Sequence, residues 1–197
     1  MRDDLLERLP AGGPEYQIDS VETFTAEENS DVAKRIYGTM TVPYYTEEAK
    51  RGTVLSRDEN GMPMYMGETE RDFTVIVPRS LWEEGRSGPI LQYGHGLMGS
   101  QNEVRSGYLG EVANRYGYVL IAVDWTGMAS DDVSAVMLMI VEDVSKFAMI
   151  PERCQQGLIE FIAGMQMISG DLSMDAELMT QDAEGNAVSV VDTEKRY

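Results

Sequence analysis

The stretch Pro89-Ile90-Leu91-Gln92-Tyr93-Gly94-His95-Gly96-Leu97-Met98-Gly99-Ser100 holds a short apolar run that breaks into a glycine-rich turn. A second apolar run covers Tyr118 to Val123. Short, nearly continuous runs of this kind suit strands buried on both faces. Between the two, Asn102 to Tyr116 places Val104, Tyr108, Leu109, Val112 and Ala113 at helical spacing, and Gly117 supplies a stop. Strand, helix and strand in this order predict a parallel pair with a right-handed crossover whose helix covers one face of the sheet.

On the N-terminal side, Arg35 to Val42 alternates and is rich in β-formers before Pro43, and Arg71 to Val77 alternates again, so two further strands are expected. Asn60-Gly61, between Thr53-Val54-Leu55 and Met62 to Met66, suits a tight hairpin. Residues 1–34, acidic and broken by Pro10, Gly12, Gly13 and Pro14, read as an arm over a domain spanning residues 35–197. On the C-terminal side, Asp124 leads into the turn Trp125-Thr126-Gly127-Met128. Ser130, Asp131 and Asp132 then suit the N-cap and acidic first turn of a helix reaching about Phe147. Pro151 fits the first turn of another helix, running to about Ile168 with Cys154, Leu158, Phe161, Ile162 and Met165 on one stripe. Gly170 to Ala187 is expected as a loop, Val188 to Val191 as a short β run, and Asp192 to Tyr197 as a charged end. The fold class these elements predict is α/β, with a mostly parallel, doubly wound sheet and an N-terminal β extension.

Composition narrows the functions available. The chain has 197 residues, 43% hydrophobic and 25% charged, enough for one ordinary globular domain. Its 34 acidic and 16 basic residues give a net charge of -18, which repels a phosphate backbone and argues against nucleic acid as a partner. One cysteine and one histidine exclude an internal disulfide and a multi-cysteine zinc site, and no cofactor is expected. Met1 to Glu7 has no apolar core of the kind a signal peptide needs. The most apolar run, Ala135 to Val141, falls far short of the roughly 20 residues that span a bilayer, so the chain is expected to be soluble.

The turn at residues 94–99 carries the chemistry. Glycines after a buried strand and before a helix let backbone approach a ligand closely. N–H groups free of any ladder there can stabilise an oxyanion forming on an ester carbonyl. These residues resemble the His-Gly loop of α/β-hydrolase lipases and esterases, which follows the third strand of that fold. The resemblance implies that the backbone N–H of Leu97 is an oxyanion donor with that of Met98 as a second candidate, and that His95 is a structural member of the loop and not a base. Gly94, Gly96 and Gly99 would shape the loop. Asp124 and Trp125 would stand at the end of the fourth strand, on the active-site side. Roughly residues 71–170 follow the family's order of elements.

The departure from that pattern is that no Gly-x-Ser-x-Gly elbow occurs anywhere in the chain. The resemblance therefore implies the incomplete N-terminal part of a serine ester hydrolase. Its Ser, Asp and His would lie on a missing or separate C-terminal polypeptide that completes the sheet, and its substrate would be an ester or lipid. Asp192 to Tyr197 reads as the approach to the nucleophile strand. Alone, the chain is expected to be inactive.

The rival reading is a non-catalytic binding or assembly subunit that keeps the loop only as a turn, and a sheet completed by Val188 to Val191 would favour it. The spacing Gly94-x-Gly96-x-x-Gly99 also matches a dinucleotide fingerprint, but on the wrong strand and with no other nucleotide feature. Asp131-Asp132 and Glu142-Asp143 read as caps and solvated faces. Met137, Met139, Met149, Met165 and Met167 read as adaptable packing, with a lid as the minor alternative, and Cys154 reads as packing.

Overall fold

The computed structural model describes all 197 residues. Its main sheet has six strands: β1 (Tyr16–Thr23), β2 (Val32–Tyr44), β3 (Gly67–Pro78), β4 (Gly88–Tyr93), β5 (Val119–Val123) and β8 (Val191–Arg196), in the order β1-β2-β3-β5-β4-β8. The pairs β1/β2, β2/β3 and β3/β5 are antiparallel; β5/β4 and β4/β8 are parallel. The sheet is thus open and mixed, which corrects the expected mostly parallel arrangement. The long alternating segments 32–44 and 67–78 form one antiparallel ribbon, with no helical crossover between them.

The expected parallel pair is present. Ile90 faces Val119 and Tyr93 faces Ala122, and α3 (Gly107–Tyr116) connects the two strands, ending at Gly117 in the left-handed region. The helix is shorter than expected because residues 101–105 form a separate 3₁₀ turn that breaks at Ser106. Leu109 and Ala113 pack with Ile76, Leu120 and Ala122 on one face of the sheet. On the other face, Ile159, Ala163 and Met167 of α5 (Met149–Ser169) pack with Val75, Ile121 and Val123. Helices therefore cover both faces.

The single helix expected from Ser130 to Phe147 is instead broken. A 3₁₀ turn at 130–132 leads into α4 (Val133–Glu142), and a second 3₁₀ turn covers 144–148. Asp143 stops α4 in an extended conformation, its carboxylate accepting from the N–H of Ser145, a local bond that competes with helix propagation. The expected hairpin around Asn60-Gly61 is reduced to single bridges: Arg57 meets Pro63, while Leu55 turns back to Thr46. Between Gly170 and Ser189 the chain is not a plain loop, since β6 (Met179–Gln181) and β7 (Ala187–Ser189) form a small hairpin. The charged end is itself strand β8. Its pairing to β4 slips between Pro89 and Ile90, and Pro89 has no N–H to give the ladder.

Residues 1–34, expected as an arm, contribute α1 (Arg2–Arg8), whose Leu5 is fully buried in the main core, and the edge strand β1. Two tyrosines tie this part down: Tyr45 donates to Asp4 Oδ2 at 2.6 Å and Tyr16 to Asp175 Oδ2 at 3.1 Å. Burial, then the neighbouring carboxylate, pushes the Tyr16 phenol up to about 12 and Tyr45 higher still than the usual phenol range. A raised native value means stability that is full below the unfolded value of about 10 and is lost as pH rises through the native one. The urea midpoint is accordingly expected to fall between pH 9.5 and 12, and replacing both tyrosines by phenylalanine should flatten that fall.

Candidate active site

Adjacent parallel strands β4 and β5 send their following helices to opposite faces of the sheet, α3 to one and α5 to the other. The loops leaving their C-terminal ends lie at the end of the sheet where open α/β folds bind ligands, and they are joined to each other by hydrogen bonds from Met98 N–H to Met128 O and from Ser130 N–H to Gly99 O. The loop after β4 is residues 94–100, and the loop after β5 is residues 124–132.

Within the first loop, the N–H of Gly99 donates to Gly96 O at 3.0 Å, closing a four-residue turn. Met98, at its third position, has φ 57, the only non-glycine residue in the chain with a positive φ. This is the pattern of a type II turn, whose third position normally takes glycine. Holding a side chain there costs on the order of 1 kcal/mol. The Met98 N–H is committed to Met128 O at 2.8 Å and is not available as the second donor expected from the sequence. The N–H of Leu97, at the second position, makes no hydrogen bond, and Leu97 is 77% exposed. Of the two donors named from the sequence, only Leu97 presents a free N–H.

His95 is buried, and its ring bridges the two loops. Nε2 accepts the N–H of Trp125 at 2.8 Å, so Nδ1 carries the proton and donates to Gly96 O at 2.7 Å. Both ring nitrogens are spent on backbone, as a structural histidine's would be. Gly94 and Gly96 are exposed. A Cβ at Gly99 would overlap the carboxylate of Glu103, so a side chain there would displace Glu103 from the loop.

Asp124 Oδ1 accepts the N–H of Gln101 at 2.6 Å, and Gln101 Oε1 accepts from Thr74 Oγ1 at 3.1 Å, fixing the 3₁₀ turn that follows the loop. From that turn, Glu103 Oε2 accepts the N–H of Gly96 at 3.3 Å and the hydroxyl of Tyr93 at 3.0 Å. The Gly96 N–H, then the Tyr93 hydroxyl, hold the Glu103 carboxyl below the usual range. Trp125 stacks on Phe161 at 5.2 Å, and its indole N–H donates to Cys154 O.

The second loop is folded around two buried carboxylates: Asp132, read from the sequence as part of a helix cap, and Glu160, which the sequence did not single out. Asp132 Oδ2 accepts from the N–H of Gly127 at 2.7 Å and of Ala129 at 3.3 Å, while Oδ1 pairs with Arg153. Glu160, fully buried on α5, accepts from Thr126 Oγ1 at 2.5 Å, Arg71 Nε at 2.8 Å and Gln156 Nε2 at 3.1 Å.

Beside this loop lies a cavity of about 490 Å³ lined almost entirely by polar side chains, among them Arg71, Asp72, Asp124, Thr126, Asp131 and Arg153. Its guanidinium groups are already paired with Glu160, Asp131 and Asp132. Burial, then the charge of Asp124, raises the Asp72 carboxyl above the usual range.

Other residues singled out from the sequence have structural places. Met139, Met149 and Met167 are buried packing, whereas Met137 is exposed. Burial raises the Cys154 thiol and keeps it protonated. No group of His, Cys, Asp and Glu side chains forms a metal site, and no helix is long and apolar enough to cross a membrane.

No protein-family profile matches the chain, and no curated protein matches it. Among solved structures, the chain is similar to a CE15 glucuronoyl esterase from Teredinibacter turnerae T7901, at 12% identity and a TM-score of 0.27. That similarity covers 79% of this chain and 35% of the other, so this chain matches about a third of that protein's length.

Proposed function

We propose that this chain provides the oxyanion-binding loop of a serine ester hydrolase whose nucleophile, acid and histidine are carried by residues outside positions 1–197. The observation that carries the reading is the free N–H of Leu97, held on a turn at the C-terminal end of the parallel strand β4 and braced by the loop after β5. Strand β8 supports it. It runs parallel to β4 on the side away from β5, and the pairs Tyr197 N–Ile90 O and Gln92 N–Tyr197 O, both 2.9 Å, carry it toward the same end of the sheet. A strand there, after the helix that follows the fourth strand, has the position of the nucleophile strand in the family that the loop resembles.

In this reading a serine from the other part attacks the ester carbonyl, and its proton passes to a histidine. The carbonyl oxygen becomes the oxyanion, accepting from Leu97 N–H and from a donor beside the serine. Collapse expels the alcohol and leaves an acyl-enzyme for water to cleave.

Within this chain His95 cannot act as the base, because both its nitrogens are engaged. The purified chain alone is therefore expected not to hydrolyse p-nitrophenyl acetate, whereas the natural protein containing it should do so and be stopped by a serine-directed phosphonate. An inert natural protein would turn the conclusion to the second reading, a binding or assembly module. That reading is favoured by the exposed apolar face of Met137, Ile140, Val141, Val144 and Phe147.

A further inference from the structure

Met98 sits in a conformation that its side chain disfavours, and its own turn supplies only one bond, Gly99 N to Gly96 O. What holds it lies in the loop after β5. Met128 O takes the Met98 N–H at 2.8 Å, the Ser130 N–H binds Gly99 O at 2.6 Å, and Gly99 and Ala129 form a parallel bridge. Of those clamping residues, Met128 closes a turn on Trp125 O at 3.0 Å and Ser130 opens the 3₁₀ turn 130–132. They are bent around one carboxylate, that of Asp132, which takes the N–H groups of Gly127 and Ala129 on one oxygen and the Arg153 guanidinium on the other.

Arg153 is itself anchored to Lys50 O at 2.7 Å, and both charged side chains of the pair are more than nine-tenths buried, at 8% and 4% exposure. The Ala129 N–H contact caps the short 3₁₀ turn 130–132, whereas the Gly127 N–H bond and the buried Arg153 pair on the same carboxylate go beyond capping, and α4 takes no side-chain capping bond from Asp132.

We propose that Asp132 is a positioning residue for the Gly96–Gly99 turn: through the 127–130 segment it clamps Met98, and so sets the direction in which Leu97 presents its N–H. The consequence for catalysis rests on the oxyanion reading given above; the mechanical coupling does not. Asp132 touches no reacting atom. It acts by fixing the Met128 carbonyl and the Ser130 N–H, and without that frame the strained third position relaxes and the Leu97 N–H is no longer pre-aimed.

The test removes the loop's acceptor without stranding a buried charge. Asp132→Ala combined with Arg153→Met takes out both members of the pair, a replacement that buried pairs commonly tolerate. Asp132→Asn is the second variant, since it keeps an oxygen for the loop N–H groups and does not depend on the first variant folding. Amide hydrogen exchange at Met98 and Ser130, read against core amides of β5, reports the clamp directly. The paired replacement should speed exchange at Met98 and Ser130 by about tenfold with the β5 amides unchanged, and Asp132→Asn should retain most of the protection. In the natural protein, the paired replacement should lower kcat for ester hydrolysis with KM little changed.

Unaltered exchange at Met98 in the folded paired variant overturns the coupling, as does equal loss of protection in Asp132→Asn and the core. Faster exchange at Met98 with an unchanged kcat upholds the clamp and defeats the oxyanion reading instead, so the two failures are distinguishable.

Discussion

Replacing Leu97 with proline is expected to lower kcat for ester hydrolysis by the assembled enzyme about 10²–10³-fold, the loss seen when one oxyanion donor is removed. The fold should be untouched. Leu97 occupies the second position of the turn closed by Gly99 N and Gly96 O, where proline is favoured, and its N–H makes no bond that the fold would miss. Its side chain is exposed, so little packing is lost. Proline there deletes one hydrogen and little else, and restriction of the unfolded chain would if anything add about 0.4–1 kcal/mol of stability. Leu97→Ala is the control: it trims the same side chain, keeps the N–H, and should retain kcat. Steady-state kinetics of the three proteins, with urea unfolding alongside, separates the donor from the side chain.

Glu160→Ala should be the most damaging single change to stability, lowering the free energy of unfolding by about 3–5 kcal/mol. The carboxylate is fully buried and receives Thr126, Arg71 and Gln156 at once. Its loss leaves the partly buried Arg71 guanidinium without its counter-charge and removes an acceptor from Thr126 Oγ1 and Gln156 Nε2. Gln156 is in turn bonded to Tyr45 N at 2.9 Å and Pro43 O at 3.1 Å, so the damage should spread to the end of β2. Replacing Glu160 with leucine and Arg71 with methionine together should recover most of the loss, because no charge is then stranded. Urea midpoints of the single and double variants check this, and equal midpoints for Glu160→Ala and the wild type would show that the network is not structural.

How far the sequence led can be judged from particular residues. The run 118–123 was legible because burial on both faces forces a continuous apolar strand, and β5 is buried throughout; the run 89–93 has the same look although in β4 only Gly88 and Ile90 are fully buried, and the glycine turn marks where it ends. They became β4, the 94–100 loop and β5. The relative directions of the strands across the sheet were not legible. Alternation in 32–44 and 67–78 says half-buried strand but not direction, and the two paired antiparallel over twelve registered positions.

Residues 192–197 read as a charged end approaching a strand and not as the strand itself, because Asp192, Glu194, Lys195 and Arg196 sit at a sheet margin where charge is tolerated and discourages edge-to-edge association. In the site, His95 was legible as a loop member. Glu103, Asp132 and Glu160 were not, since a buried acid on a helix or turn carries the same letters as a solvated one. The one available signal was Arg153 and Arg71 standing in otherwise apolar or alternating segments, as counter-charges waiting for partners. Met98 at positive φ left no trace in the sequence, for methionine is not a residue that announces a type II turn.

The most direct test of the central claim is to treat the natural protein that contains this chain with a serine-directed phosphonate and locate the adduct by peptide mass spectrometry while following p-nitrophenyl acetate hydrolysis. The account predicts one adduct, on a serine outside residues 1–197, formed in step with loss of activity. An adduct on a serine within residues 1–197, or full hydrolytic activity in an unlabelled protein, would contradict it.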